Sequence, residues 1–305
     1  MTGPARIALR QPGPLLATGI VLLCAIGFGL TPFFARGLAE AGLSSGAIAF
    51  YRYAFSLAVL APFLPVARGK RREGLVALGA GAAMGLGWIG YLEAVKVAPV
   101  AAAGTIYMSY PLFAILLAWP LAGQRPGGRA LAAGLLVLAG AALALSPPGL
   151  DAAQVRALLL SLSAPLTFGL GIVVLCTRLP NLAVLEKMSA LLAGSVLALA
   201  PLLATQPVAA VLPADAGTWL LVAGVAGLTA FLPQLLYTYA APLVGPARAA
   251  AAGSLELPTM LAIGWLQFGE PIGPLQIAAT LLLVLAILLA PAIALQGGSG
   301  GAPPG

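Results

Sequence analysis

Pro99-Val-Ala-Ala-Ala-Gly-Thr-Ile-Tyr-Met-Ser-Tyr-Pro111 and Pro246-Ala-Arg-Ala-Ala-Ala-Ala-Gly-Ser-Leu-Glu-Leu-Pro258 stand 147 residues apart in a chain of 305. Both run on through apolar sequence to a Trp, and then to Gly with an amide or acid: Trp119 with Gly123-Gln124, and Trp265 with Gly269-Glu270, at an offset of 146. The offset is close to half the chain length. A single duplication at half-length in apolar sequence points to an internally repeated membrane protein, the plan of many transporters.

Composition places the repeat in lipid. Apolar residues make up 61% of the chain, charged residues 8%, and the mean hydropathy is +1.05, far from the balance of a soluble domain. The sequence pI near 9.9 does not signal nucleic-acid binding. The basic residues are scattered one to four at a time between apolar runs, without the basic stripe that nucleic acid requires.

Apolar runs fall at about 14–35, 45–66, 73–95, 99–120, 127–146, 155–177, 182–204, 216–240, 246–268 and 272–294. At about 1.5 Å per helical residue each crosses a hydrocarbon core of about 30 Å. The expectation is an all-α polytopic membrane protein with ten transmembrane helices. The first run is a full span without a small-residue cleavage site after it, so it reads as a retained helix and not a signal peptide.

Arginine and lysine set the expected orientation. With the N-terminus inside, the inner segments hold Arg6, Arg10, Arg68, Lys70, Arg71, Arg72, Arg125, Arg129, Arg178, Lys187 and Arg248, against Arg36, Lys96 and Arg156 outside. This bias puts both termini in the cytoplasm. Ten spans divide into a first five-helix repeat, 1–148, and a second, 149–295, followed by a flexible Gly- and Pro-rich tail at 296–305. Because five is odd, the second copy enters the membrane from the opposite side, which makes the repeats inverted.

The prolines carry a mechanism. Pro99 and Pro246 begin spans 4 and 9, where a missing N–H costs nothing. Pro111 and Pro258 fall near mid-span, where proline withholds the bond to the carbonyl four residues back, at Tyr107 and Ser254, and kinks the helix. Interrupted backbone at membrane depth is tolerated where it is buried or lines a cavity. An ordinary kink satisfied by a neighbouring hydroxyl is the alternative.

In span 3, Met84, Trp88 and Tyr91 share one helical face at i, i+4 and i+7, beside the small-residue run Gly81, Gly85, Gly87 and Gly90. With Tyr107, Ser109, Tyr110 and Tyr237 they outline a pocket for a small organic solute; core packing is the competing reading for each. Two charges lie inside the spans, Arg52 and Glu256. An ionisable group at that depth is a functional-site hypothesis by default. Glu256 reads either as a partner for Arg52 or as a proton-coupling acid, while Arg52 could also snorkel. Gln234 in span 8 is a further polar candidate for solute contact or an interhelical bond.

The Tyr51-Arg52 pair, the Gly245-Pro246-Ala-Arg-Ala approach to span 9, Glu256 near Pro258 and the closing Gly269-Glu270 resemble the EamA group of the drug/metabolite transporter superfamily. Within that group the chain looks most like bacterial amino-acid and metabolite exporters of the YddG type. The resemblance implies ten helices in two inverted repeats around a cavity lined by spans 3, 4, 8 and 9. Two positions depart from the pattern. Leu257 separates Glu256 from Pro258, where the family often has Glu directly before proline, and Gln124 stands where an acid is common.

Other functions lack their residues. The sequence has no His, and with it no Ser-His arrangement; Cys24 and Cys176 fall within spans, which disfavours a disulfide or a metal site. No Walker-type loop is present. The expectation is therefore a carrier and not an enzyme, without cofactor or metal and without nucleic acid. The resemblance implies that it exports small metabolites, amino acids foremost, across a bacterial plasma (inner) membrane by alternating access. It works as a monomer in the bilayer, with protons as the candidate coupling ion. A drug or metabolite carrier of the same fold, working in uptake or exchange, and a channel-like pore remain as alternatives.

Overall fold

The computed structural model describes residues 13–123, 125, 127–144, 149–244 and 255–289. Pro246 and Ser254, like Gln124 and the tail at 296–305, lie outside the described residues. Helices account for all the regular structure among the described residues: α1 (Pro14–Gly29), α2 (Thr31–Glu40), α3 (Ser45–Leu60), α4 (Arg71–Val97), α5 (Val100–Tyr107), α6 (Tyr110–Ala122), α7 (Gly128–Ala144), α8 (Ala152–Leu160), α9 (Ser163–Thr177), α10 (Val184–Ala204), α11 (Val208–Val211), α12 (Ala216–Ala226), α13 (Leu232–Val244), α14 (Glu256–Phe268) and α15 (Pro274–Leu289).

Among the described residues seven helical segments are long and apolar enough to cross a membrane: Leu15–Glu40, Ser45–Phe63, Arg68–Val97, Val100–Leu121, Ala152–Leu175, Val184–Ala204 and Ala216–Tyr237. The other three expected spans coincide with α7, α14 and α15, of 17, 13 and 16 residues. Within the described residues these are too short to meet that standard alone. Among the described residues, then, seven of the ten expected spans meet the standard for crossing, and the other three are described as shorter helices.

Several spans are built differently from the expected continuous helices. The first runs to Glu40, so Arg36 lies within a helix and not in a connecting segment. It is also broken at Leu30, just before Pro32. Span 6 breaks at Ser161–Leu162, ahead of Pro165. The expected kink at Pro111 is a break: α5 ends at Tyr107, Met108 and Ser109 form a turn, and Pro111 lies in the first turn of α6. Ser109 N–H bonds to the Ile106 carbonyl at 3.0 Å, an i→i+3 tightening. Pro258 likewise occupies the first turn of α14, where its missing N–H disrupts nothing.

Side-chain caps start several helices. Ser44 Oγ accepts from Ala47 N–H at 3.2 Å at the head of α3, Asp151 and Gln154 form a capping box before α8, and Asp215 Oδ1 accepts from Thr218 N–H at 2.8 Å before α12. Such caps satisfy donors that the helix cannot, and are typically worth about 1 kcal/mol.

The span 3 glycines create the tightest contacts. A Cβ on Gly81 would collide with the Leu191 carbonyl, and one on Gly194 with the Leu78 carbonyl, so α4 and α10 meet backbone to backbone. Ser195 Oγ seals this crossing by donating to the Gly81 carbonyl at 2.7 Å. On the neighbouring side Gly87 and Gly90 face α9, where Ser163 Oγ donates to the Gly87 carbonyl at 2.8 Å. Small residues let helices gain packing where lipid offers no hydrophobic drive between them. Large apolar side chains point outward instead: Leu220 is 73% exposed and Leu266 71%. Outside a bilayer such a surface would be an aggregation hazard.

Candidate substrate pathway

Five rings pack at the centre of the main buried cluster. Trp88 meets Tyr91 edge-on with centroids 4.9 Å apart, and Tyr107 lies 5.3 Å from Trp88 and 5.5 Å from Tyr91. Tyr110 is 5.8 Å from Tyr107, and Phe168 of α9 closes the group at 4.9 Å from Tyr110 and 5.9 Å from Tyr107. The break before α6 is what sets Tyr107 and Tyr110, one turn apart, on the same wall. Trp88 is only 4% exposed, whereas Trp119, Trp219 and Trp265 are exposed at helix ends, where indole rings suit the membrane interface. Aromatic pairs of this geometry contribute about 0.5–1.5 kcal/mol each beyond area burial.

Phe168 was not singled out by sequence. Its one signal was an aromatic residue beside Gly169 and Gly171 in span 6, which is weak in apolar sequence.

Arg52 lies over this wall. Its Cζ sits 3.9 Å from the Trp88 ring centroid, a cation–π contact worth more when desolvated than at an exposed site. One guanidinium nitrogen, Nη2, donates to the Thr229 carbonyl at 3.2 Å. Thr229 belongs to a π-helical segment, Gly227–Phe231, that interrupts the expected single helix over 216–240. Such a bulge breaks the regular ladder and frees backbone for other partners. A second guanidinium nitrogen, Nη1, is buried without a hydrogen-bond partner among the described residues, as are Tyr53 OH, Ser56 Oγ, Ser45 Oγ and Ser109 Oγ. Leaving a buried donor unpaired costs about 1–3 kcal/mol. Arg52 is held inside the bundle, so it does not snorkel.

Glu256 is the first residue of α14, partly buried, where a carboxylate complements the positive helix end. The expected ion pair with Arg52 is not formed: no contact within 4.0 Å joins them, although the charge of Arg52 acts on Glu256, Tyr91 and Tyr107. Tyr91 OH approaches Met260 Sδ at 4.0 Å, which brings α14 against the aromatic wall.

The remaining candidates lie outside the five-ring group. Met84 packs in a separate cluster with Ala77, Ala80 and Val174. Tyr237 joins the α1–α13 contact, 6.4 Å from Phe28, and Gln234 is half-buried on α13 with a partner of its own. Pro99 caps α5, its carbonyl accepting from Ala102 and Ala103 N–H. Among the described residues no group of three or more His, Cys, Asp or Glu side chains converges as a metal site requires.

Each end of the bundle is tied across the chain's two halves. At one end Arg36 is a hub: Nη1 pairs with Glu270 Oε1 at 2.9 Å, and Nε and Nη2 donate to the Val95 and Ala98 carbonyls at 3.0 Å. Its guanidinium also lies 4.1 Å from the Phe268 ring centroid, and Glu270 Oε2 accepts from Val100 N–H at 2.7 Å. A cavity of about 550 Å³ opens beside it, lined by Arg36, Glu40, Lys96, Pro99, Gln154 and Glu270 among others. At the opposite end Lys70 Nζ pairs with Glu186 at 2.7 Å, Glu73 accepts from Asn181, and Arg178 Nη2 donates to the Leu121 carbonyl.

The two copies of the quoted motif finish alike. α6 and α14 each span 13 residues and end at a left-handed glycine, Gly123 at φ 70° and Gly269 at φ 64°. Their N–H groups return to Trp119 and Trp265 at 2.8 and 3.2 Å. A side chain is strained in that conformation, which is why glycine follows both helices.

An all-helical bundle with an apolar outer surface and a polar-edged aromatic centre defines a multi-pass membrane protein. Among solved structures 15 chains match. One, described as "Crystal structure of protein", superimposes at a TM-score of 0.61 with 16% identity, over 91% of this chain and 96% of its own. At that identity the likeness concerns the fold. No curated protein matches. The EamA-like transporter family matches residues 15–146 and again 155–290. The chain belongs to the EamA-like transporter family, membrane transporters of the drug/metabolite superfamily.

Proposed function

We propose that this transporter exports small metabolites, amino acids foremost, across a bacterial inner membrane by alternating access, in the manner of the YddG type. The observation that carries the reading is the buried wall of Trp88, Tyr91, Tyr107 and Tyr110 with Arg52 over it and Glu256 close by. Aromatic faces accommodate an apolar side chain, and one base with one acid at depth suits a zwitterion. Ser109, Gln234 and Tyr237 extend the same pathway, with Met84 at its edge and Pro99, Pro111 and Pro258 at the helix starts along it.

The halves 1–148 and 149–295 act as inverted repeats of a ten-span protein, with both termini in the cytoplasm. The matched glycine ends of α6 and α14 support that pairing. The Arg36–Glu270 end is then the outer one and the Lys70–Glu186 end the inner one. Each cross-half tie would open in turn as the halves rock. Glu256 is the candidate proton-coupling acid.

Counterflow of radiolabelled leucine and phenylalanine into proteoliposomes tests the reading. Trans-stimulation that falls in Trp88→Ala, Tyr91→Ala and Tyr107→Ala is expected. Uptake without trans-stimulation would favour a channel, and unchanged transport in all three variants would remove the pocket. Glu256→Gln with an unaltered pH dependence would remove proton coupling through that residue.

A further inference from the structure

We propose that Arg52 is the anchor for a carboxylate group on the transported solute, with the hydroxyls of Tyr53 and Ser56 as the accompanying donors. This deepens the transporter reading on which it rests, because it names the one functional group that every accepted solute carries.

The argument begins with placement. Ser45, Arg52 and Ser56 lie at i, i+7 and i+11 on one face of α3, with Tyr53 beside them. Arg52 is 8% exposed, Tyr53 8% and Ser56 3%. All three end in polar atoms, Arg52 Nη1, Tyr53 OH and Ser56 Oγ, that are buried and have no hydrogen-bond partner among the described residues. Native interiors satisfy nearly all such atoms, so a cluster left open on one helix face calls for an explanation.

The guanidinium is also oriented. Nη2 is fixed on the Thr229 carbonyl of the π-helical segment, and the flat face rests on Trp88 at 3.9 Å. Nη1, buried and unpartnered, keeps both of its N–H groups to give. A guanidinium held flat with such donors unused is matched to a carboxylate, whose acceptors are strong and whose charge offsets that of the buried base. A neutral amide offers one acceptor oxygen and no charge.

The carboxylate of the protein that lies within electrostatic reach, Glu256, does not close the site. It starts α14, it makes no ion pair with Arg52, and the rings of Tyr91 and Tyr107 lie within reach of both charges. A bound zwitterion would therefore present its carboxylate to Arg52 and its ammonium toward Glu256, with its side chain against the aromatic wall.

The test uses the purified full-length protein in detergent, with quenching of tryptophan fluorescence and ligand-induced thermal stabilisation as readouts. The probes are L-phenylalanine, L-phenylalaninamide, phenethylamine and 3-phenyllactate. The expected result is that both carboxylates, phenylalanine and phenyllactate, bind at least tenfold more tightly than the amide and the amine. Arg52→Gln removes that discrimination, and Arg52→Lys retains part of it. Should the Arg52 variants not fold, Tyr53→Phe and Ser56→Ala each delete one oxygen and are expected to reduce the preference several-fold.

Equal binding of acid and amide by the wild type overturns the proposal. So does a preference unchanged in Arg52→Gln or, where the Arg52 variants do not fold, in both hydroxyl variants; and so does an absence of binding across the panel. The two readings separate cleanly. Phenyllactate binding without phenylalanine binding keeps the carboxylate anchor and defeats the amino-acid reading. Amino-acid binding without acid-over-amide discrimination does the reverse.

Discussion

Arg36 Nη1 and Glu270 Oε1 lie 2.9 Å apart across 234 residues of sequence, each side chain 15% exposed. The pair joins α2 to the residue that follows α14 and its left-handed Gly269, and Arg36 adds the carbonyls that finish α4 while Glu270 adds the first N–H of α5. Four expected spans thus converge on one ion pair. A hydrogen bond to a charged group is worth about 1.5–3 kcal/mol, so this knot outweighs the single Lys96–Glu93 pair on the nearby surface.

Removing either member should open that end of the bundle. In a protein with Cys24 and Cys176 replaced by Ala, a cysteine at Ala98, now buried, is expected to react slowly with a membrane-impermeant maleimide. Arg36→Ala or Glu270→Ala should raise the rate about 5–30-fold, the factor that one or two kcal/mol represents. The exchanged pair Arg36→Glu with Glu270→Arg should return it toward the starting value. Labelling that ignores both single changes would show that the pair does not hold this end closed.

The α4–α10 crossing predicts opposite outcomes for two glycines on one helix. Gly81→Val drives a side chain into the Leu191 carbonyl, and overpacking of this kind costs about 1–3 kcal/mol. Gly79 meets nothing within 4 Å and is exposed, so Gly79→Ala gains helix propensity of about 0.5–1 kcal/mol. Thermal unfolding in detergent should place Gly81→Val below the wild type and Gly79→Ala at or above it.

Asp215, outside the spans, gives a pH-dependent cap. Hydrogen bonds from Thr218 N–H and hydroxyl hold its carboxyl below the usual range. A carboxylate with a lowered folded pKa contributes fully above its unfolded value, and the contribution is lost as pH falls through the folded one. The protection factor for amide exchange at Thr218, with the intrinsic pH dependence of exchange divided out, should therefore be high at neutral pH and fall on acidification more in the wild type than in Asp215→Asn. That variant retains an acceptor but has no proton to take up. Equal acid responses would mean that the cap is not the titrating element.

How much of this was legible in sequence follows from what each signal depends on. Hydropathy depends on local composition, so the spans and the duplicated motif could be read directly, as could the face shared by Trp88 and Tyr91. Pro111 announced an interruption, but proline specifies only a missing N–H and a fixed φ. Whether the helix kinks or stops depends on what packs against Tyr107 and Tyr110. The π-helical segment at 227–231 has no proline and leaves no mark in composition. Arg36 looked like one of three cations in outer segments, because a charge at a span end is uninformative until the fold brings Glu270 to it.

The repeat makes one further prediction, at the end opposite Glu270. Arg178 follows span 6 as the counterpart of a cation working across the halves, and among the described residues it reaches the backbone carbonyl of Leu121. The position matching Glu270, after the left-handed Gly123, is Gln124. On the inverted-repeat reading a carboxylate at 124 takes the place that Glu270 holds toward Arg36 and offers Arg178 a charged acceptor, and charge-assisted bonds are roughly twice as strong as neutral ones. Gln124→Glu should therefore tighten the Leu121 end and, through alternating access, populate states open at the Glu270 end. The cysteine at Ala98 should label faster in Gln124→Glu than in the wild type, and adding Arg178→Ala should abolish the gain. If Gln124→Glu leaves labelling at Ala98 unchanged while transport is normal, the two ends do not open reciprocally through these positions.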